Sequence, residues 1–333
     1  NSTGSVTDDP GTANVNFVFG NAAGDTGTLT INATGGVGTA ADPILVQSGD
    51  GENASIATLS ISNADAADSD SDIVITIDGE GLLGSIVNSD GGDITIQANT
   101  EVKTQADIAI TATGNITVQA NEDDNAATDD SLIINENVLI KSDSGNILLE
   151  AGDDIRIQTG GVIQTGGIAT IIFNADLDAT DGAHAADPDG DNNGDINMEG
   201  TSFIRHLGTG AIQLNAKDEI NVTSILGTNN DITLDSDDDA GGASQAANIT
   251  VSGTVSTGGN ITVTADEDVD INGLMESTGG NISISANTDN SASDDDLTIN
   301  NTVRAANVTL DNGTDAQNDI IFTADPANTL GAI

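Results

Sequence analysis

The chain has no cysteine, no tryptophan and no tyrosine, and five phenylalanines bring its aromatic share to only 2%. The lack of cysteine excludes a disulfide framework, although it does not locate the protein, and it removes the thiolate ligands of a structural zinc site. So few aromatic rings leave little with which to grip a ligand or stack a base. Bases are nearly as scarce: six lysines and arginines face 54 acids, a formal net charge of -48. Such a charge repels nucleic acid and anionic lipid, which argues against both as partners, and it calls for salt or divalent cations around the working protein. No run approaches the ~18 apolar residues of a membrane span, so no membrane insertion is expected. The chain opens at Asn1 with neither Met nor a signal peptide, which reads as a processed form or an excised segment.

What the chain does have is a repeat. GGNITVTADEDVDINGLMEST, Gly258 to Thr278, is followed at once by GGNISISANTDNSASDDDLTINNTVRA. Each copy contains a turn, a short alternating strand, a polar corner and a second alternating strand, so one supersecondary unit is stacked many times. The 36% of hydrophobic residues are mostly branched aliphatics and alanine, suited to thin repeated layers. Each layer buries its apolar face only on its neighbours, which predicts a single elongated domain over 1–333. Within it, 1–34 reads as a terminal coil or docking strand, 35–325 as repeat coils and 326–333 as a tail.

The strand module is Asn or Asp, then Ile or Val, a polar or aliphatic residue, and another aliphatic. It begins at Asp93, Asn115, Asn146, Asp195, Asp231, Asn248, Asn260, Asn281 and Asn307. Period-two alternation of β-branched residues predicts strands with one face in and one out, and Ile94, Ile116, Ile147, Ile232, Ile261 and Ile282 are expected to stack inward. Ile94 to Ile116 is 22 residues and Ile261 to Ile282 is 21. A second strand falls between modules, at Ile108–Ile110, Leu132–Ile134, Ile155–Ile157, Ile220–Val222, Val269–Ile271 and Leu297–Ile299. Two or three short strands in some twenty residues predict an all-β fold, a parallel β-helix solenoid with acidic loop insertions. About sixteen coils at ~4.8 Å each would make a rod of ~75 Å, less whatever the insertions consume.

The opening Asn or Asp is expected to turn the corner in a left-handed conformation and to bond its equivalent in the next coil as a ladder. The same motif generates glycosylation sequons at Asn115, Asn221, Asn248, Asn260, Asn281 and Asn307, and because the repeat alone produces them the structural role is favoured.

Acidic, small-residue insertions interrupt the coils at 63–72, 121–130, 176–195, 235–245 and 287–296. As solvated loops they would keep an extended β-protein from aggregating. One also reads as a calcium site. From Asp187, the run Asp189, Asp191 and Asn193 matches the first half of an EF-hand loop, followed by Gly194 and, through Asp195, by Ile196 at the apolar position. The twelfth position is Gly200, with Glu199 one place early, so the bidentate carboxylate is displaced. Hard oxygen ligands alternating along a tight loop suit Ca²⁺.

No catalytic residue is expected. His184 and His206 stand alone and read as ordinary surface histidines. Some parallel β-helices cleave polysaccharides with paired acids, but those usually display basic and aromatic residues in a groove. Three arginines, three lysines and five phenylalanines give this chain little to build one.

GVGTAADPILVQ, with Val37 to Gln47 at its heart, followed by GGDITIQA, GNITVQA and GGNITVTADEDVDING, resembles the repeat tracts of large secreted bacterial proteins of the filamentous haemagglutinin type. The resemblance covers roughly 35–325 and is one of repeat style. It implies a right-handed β-helix exported to the cell surface, serving adhesion, biofilm or a fibrous appendage. The family's amino-terminal secretion domain has no counterpart here, and the acid excess is higher than the family leads one to expect.

The residues therefore point first to a non-catalytic extracellular structural protein, a fibre subunit or the rod of a surface adhesin. An adhesin whose side loops bind glycans or another cell is the alternative, and a polysaccharide-degrading enzyme is the third reading. Terminal strands separate subunit from rod. Val15, Phe17 and Phe19 near one end and Ile320, Ile321 and Phe322 near the other offer apolar edges through which copies would join head to tail.

Overall fold

The computed structural model describes residues 17–19, 27–33, 44–48, 57–63, 72–78, 81–88, 92–98, 100–120, 130–175, 194–236, 247–286, 296–313 and 319–322. Among them the regular structure is entirely strand, and the strands pair in parallel, coil upon coil. The fold is the expected all-β parallel solenoid.

Each coil has three faces. Face A holds twelve strands in one sheet, among them Ile94–Ala98, Ile116–Ala120, Ile147–Ala151, Thr170–Ala175, Ala211–Ala216, Asp231–Ser236, Ile261–Ala265 and Ile282–Ala286. Face B runs through Val102–Thr104, Leu132–Ile134, Ile155–Ile157 and Ile196–Met198, and ends in Val269–Ile271, Leu297–Ile299 and Ile320–Phe322. Face C runs through Ala109–Ala112, Leu139–Ser142, Val162–Thr165 and Phe203–His206, and ends in Met275–Ser277 and Val303–Arg304. In Ile220–Gly227 and Ile249–Thr257 one strand passes through both B and C. Among the described residues twelve coils replace the expected sixteen, because the insertions consume chain without adding height, and this stack is about 50 Å long at ~4.8 Å per step.

Alternation puts every second side chain inside. Ile94, Ile116 and Ile147 are stacked in register, as are Ile232, Ile261 and Ile282, and all six are buried. Two modules lie on another face than expected: Ile196 and Ile249 belong to face B, beside Ile155 and Ile220. Likewise Ala109 and Ile110 belong to face C, since Val102, not Ile108, pairs with Leu132. Between successive face A strands the chain thus crosses two faces, B and C, and not one.

The module Asn and Asp do form a ladder, but not through left-handed backbone. Among the described non-glycine residues positive φ occurs instead at the B–C corner, at Asp107 (57°) and Asn137 (56°), a place that Gly160 (78°) and Gly200 (57°) fill in other coils; Gly167, Gly194 and Gly313 adopt it at the other corners. At the C–A corner glycine precedes the module for a different reason. A Cβ on Gly145 would lie 2.2 Å from the Gly114 carbonyl carbon of the neighbouring coil, and one on Gly280 would lie 2.4 Å from the Gly259 oxygen. Coils pass so closely there that a side chain has no room.

Four of the five acidic insertions leave from one corner, between faces A and B. They follow Ile116–Ala120, Thr170–Ala175, Asp231–Ser236 and Ile282–Ala286. The face A strands between these, Ile147–Ala151, Ala211–Ala216 and Ile261–Ala265, reach face B through three residues each. Insertion and short corner therefore alternate coil by coil. The fifth insertion, 63–72, joins Ala57–Asn63 to Ile73–Asp78 on the far side of face A.

Candidate functional site

The A–B corner is lined by a column of acids, one before each face B strand: Glu101, Asp154, Asp195, Glu219, Asp268, Asp296 and Asp319, with Ser131 and Asn248 interspersed. Five of these side chains, Asp154, Asp195, Asn248, Asp268 and Asp296, act as acceptors for the next coil. Asp154 Oδ1 accepts the Asp195 N–H at 3.0 Å, and Asp195 Oδ1 accepts the Glu219 N–H at 2.9 Å. Farther along, Asn248 serves Asp268 at 2.9 Å, Asp268 serves Asp296 at 2.6 Å, and Asp296 serves Asp319 at 3.2 Å. Carboxylates a coil apart repel, and two are relieved by bases on the adjoining strand, Glu101 by Lys103 and Asp154 by Arg156.

Asp195 is the residue of the candidate calcium set that the structure describes; Asp187, Asp189, Asp191 and Asn193 lie outside the described residues. It is half-buried, and its second oxygen accepts from Asn197 Nδ2 at 3.2 Å. Burial pushes its carboxyl above the ordinary range, the Glu219 N–H bond opposes this, and the charges of Asp154 and Glu219 push it further up. Its oxygens are engaged in the ladder. Among the described residues no group of three or more histidines and acids is arranged to hold a metal ion.

His206 is not on the surface, as expected, but inside. Its Nε2 donates to the Ala169 carbonyl at 2.8 Å and its Nδ1 accepts from the Gly208 N–H at 3.0 Å, an arrangement that fixes the neutral tautomer. The same column holds Ser142, Thr165, Thr257 and Ser277, whose hydroxyls bond the corner carbonyls of Gly145's neighbour Gly114, of Gly145, of Asn230 and of Gly259 at 2.5–2.7 Å. The histidine is a corner pin. His184 lies outside the described residues. The sequon amides at Asn115, Asn221, Asn260 and Asn307 donate within ladders, to Asp93, Asn197, Asp231 and Asn281 at 2.7–3.0 Å.

The strands expected to join copies sit at opposite ends of the stack but on different faces. Phe17 and Phe19 belong to the first face A strand, which pairs with Ile44–Ser48, whereas Ile320, Ile321 and Phe322 form the last face B strand. Val15 lies outside the described residues. Continuing the coils from one end to the other would place Phe17–Phe19 against Val308–Asn312, and Ile320–Phe322 against Gly27–Ala33. Val308 is the edge residue the sequence reading missed. Side chains that are buried in the preceding coil are uncovered in the last: Val308 is 38% exposed, Ile320 42% and Phe322 47%, against 0% for Ile282 and Leu297. Their registers, Ile282 with Val308, Leu297 with Ile320 and Ile299 with Phe322, show that these are core positions with no further coil over them among the described residues.

Comparison of the chain with known protein families, with curated proteins and with solved structures finds no match.

Proposed function

We propose that this chain is a non-catalytic extracellular structural protein whose coils stack end to end, as a fibre subunit or as the rod of a cell-surface adhesin. The observation that carries the reading is the uncovered core at Val308, Ile320 and Phe322. Three apolar core positions beside open strand edges form a surface that one more coil would bury, and parallel backbone bonds would set its register. The N-terminal strands Phe17–Phe19 and Gly27–Ala33 have the faces needed to supply that coil. A contact of this kind does not close on itself and propagates as a filament. The resemblance in repeat style to filamentous haemagglutinin-type proteins supports surface export.

Negative-stain imaging and light scattering of the chain test this directly. Filaments that shorten or vanish on Phe322→Asp or on removal of residues 1–20, with the β signal retained, support the reading. A wild-type chain that stays a single rod at high concentration with calcium present overturns self-assembly.

Presentation of loops to glycans or another cell is the second reading, favoured by the departure of four insertions from one corner. Binding of cells or glycan arrays that is lost when those loops are shortened, with the rod intact, would establish it.

A further inference from the structure

The few bases of this chain are not scattered. Strands of faces B and C carry five of the six, Lys103, Arg156, Lys141, Arg205 and Arg304, against two acids, Asp270 and Glu276. Strands of face A carry no base and five acids, Asp78, Glu150, Asp231, Asp235 and Asp311. On a chain of net charge -48, faces B and C are the described strand surfaces that an acidic neighbour can approach without repulsion. Most of these bases are already engaged: Lys103 with Glu101, Lys141 with Asp143 at 2.5 Å, Arg156 with Asp154, and Arg304 with Glu276 at 2.6 Å. Arg205 is exposed and makes no ion pair among the described residues.

The surroundings of Arg205 are apolar. Alternation along face C turns Phe203, Arg205 and Leu207 outward together, Val162 lies abreast of Phe203, and Leu226 lies abreast of Arg205. Ile168, in the C–A corner one coil away, is 87% exposed. The exposed large hydrophobics among the described residues fall into two groups, the terminal coil and this patch of Ile168, Leu207 and Leu226. An arginine rimmed by apolar side chains has the form of an interface anchor: the rim excludes water, and the charge selects a carboxylate.

We propose that this patch on face C docks a second copy of the chain side by side, with a carboxylate from the partner's A–B corner on Arg205. The corner offers Asp296 and Asp319, beside which the adjoining strand places Thr298 and Ile321 where the coils of Glu101 and Asp154 have Lys103 and Arg156. Asp319 is exposed, and five coil steps, about 24 Å, separate it from Arg205 along the stack, so the two meet between molecules and not within one. Both columns repeat at the same coil height, so two rods laid alongside remain commensurate. The contact is lateral and does not use the uncovered core side chains Val308, Ile320 and Phe322.

Sedimentation velocity and negative-stain imaging of the full chain at moderate salt distinguish the two modes, because paired rods have a lower frictional ratio than rods joined end to end. Concentration-dependent lateral pairs are expected, weakened at least ten-fold by Arg205→Glu and by Leu207→Asn but unchanged by Arg304→Glu, which makes the same charge change at a paired base. Arg205→Gln gives the same readout if the glutamate variant loses its β signal. Mixing Arg205→Asp with an Asp296→Arg, Asp319→Arg chain should restore pairing. Absence of lateral pairs, equal loss with Arg304→Glu, failure of the charge swap, or capture of an added polyuronate by Arg205 without self-association would each overturn the proposal.

Discussion

Asn260 lies directly on Asp231, and both its backbone N–H and its side-chain amide donate to the same carboxylate oxygen, at 2.8 and 3.0 Å. Asn260 in turn presents its own Oδ1 to the Asn281 N–H at 3.0 Å, so acceptor and donor roles pass along the rod. Asn260→Ala removes one link on each side and should cost ~1–2 kcal/mol, read as a lower urea midpoint with unchanged slope. No loss would mean that water replaces the ladder at no cost.

Gly145→Ala should be worse than its size implies. Its Cβ would stand 2.2 Å from the Gly114 carbonyl carbon, backbone that cannot step aside. Parting two coils there should cost ~1–3 kcal/mol, measurable by the same unfolding experiment. A fully stable alanine variant would show that the coils are not so close.

Asp195→Asn should stabilise the rod at neutral pH. The folded-state pKa of Asp195 is raised above 3.8, so ionising it costs the folded protein stability as pH rises from the unfolded value through the folded one. The amide keeps the acceptor for Glu219 and drops the repulsion from Asp154 and Glu219; Asn248 already fills the equivalent place in another coil. The gain in melting temperature should be full near pH 7 and fade as pH falls toward 3.8. A gain independent of pH would assign it to something other than the charge.

Ile261→Asp should abolish folding or cost several kcal/mol, because the side chain sits in the stack between Ile232 and Ile282 and is 1% exposed. Circular dichroism with thermal melting checks it, and a soluble variant with an unchanged melt would contradict the core assignment.

Calcium is expected to raise the melting temperature through the segment of Asp187, Asp189, Asp191 and Asn193, by ~2.7 kcal/mol at a hundredfold excess over the dissociation constant. The gain should disappear in Asp189→Asn, Asp191→Asn. A melt indifferent to chelator at moderate salt would leave those acids as a solvated coat.

The inward stack at Ile94, Ile116 and Ile147 was legible because alternation fixes which side chains share a side. The face on which a module lies was not. Asp93 opens a face A strand and Asp154 a face B strand, yet both lend an oxygen to the N–H of the next coil, at 2.7 and 3.0 Å, so one local pattern serves two corners. His206 was misread because an imidazole there replaces hydroxyls at Ser142 and Thr165, a substitution that only the stacking reveals. Phe17 and Ile320 were recognisable as edges, but their partners depend on register across coils, which no single segment encodes. Arg205 gave no signal at all: its meaning lies in having, among the described residues, no acid partner where Lys103, Lys141, Arg156 and Arg304 each have one.

Insertions that emerge from every second coil make the rod a graduated ruler. Two steps of parallel-sheet spacing, about 10 Å, separate the roots of successive loops, and that interval is set by backbone geometry alone. Loop sequences are then free to drift, lengthen or exchange without changing the spacing at which they are displayed. A partner with a matching repeat would be read by many weak contacts at once, and one with a different repeat would fall out of step within a few graduations.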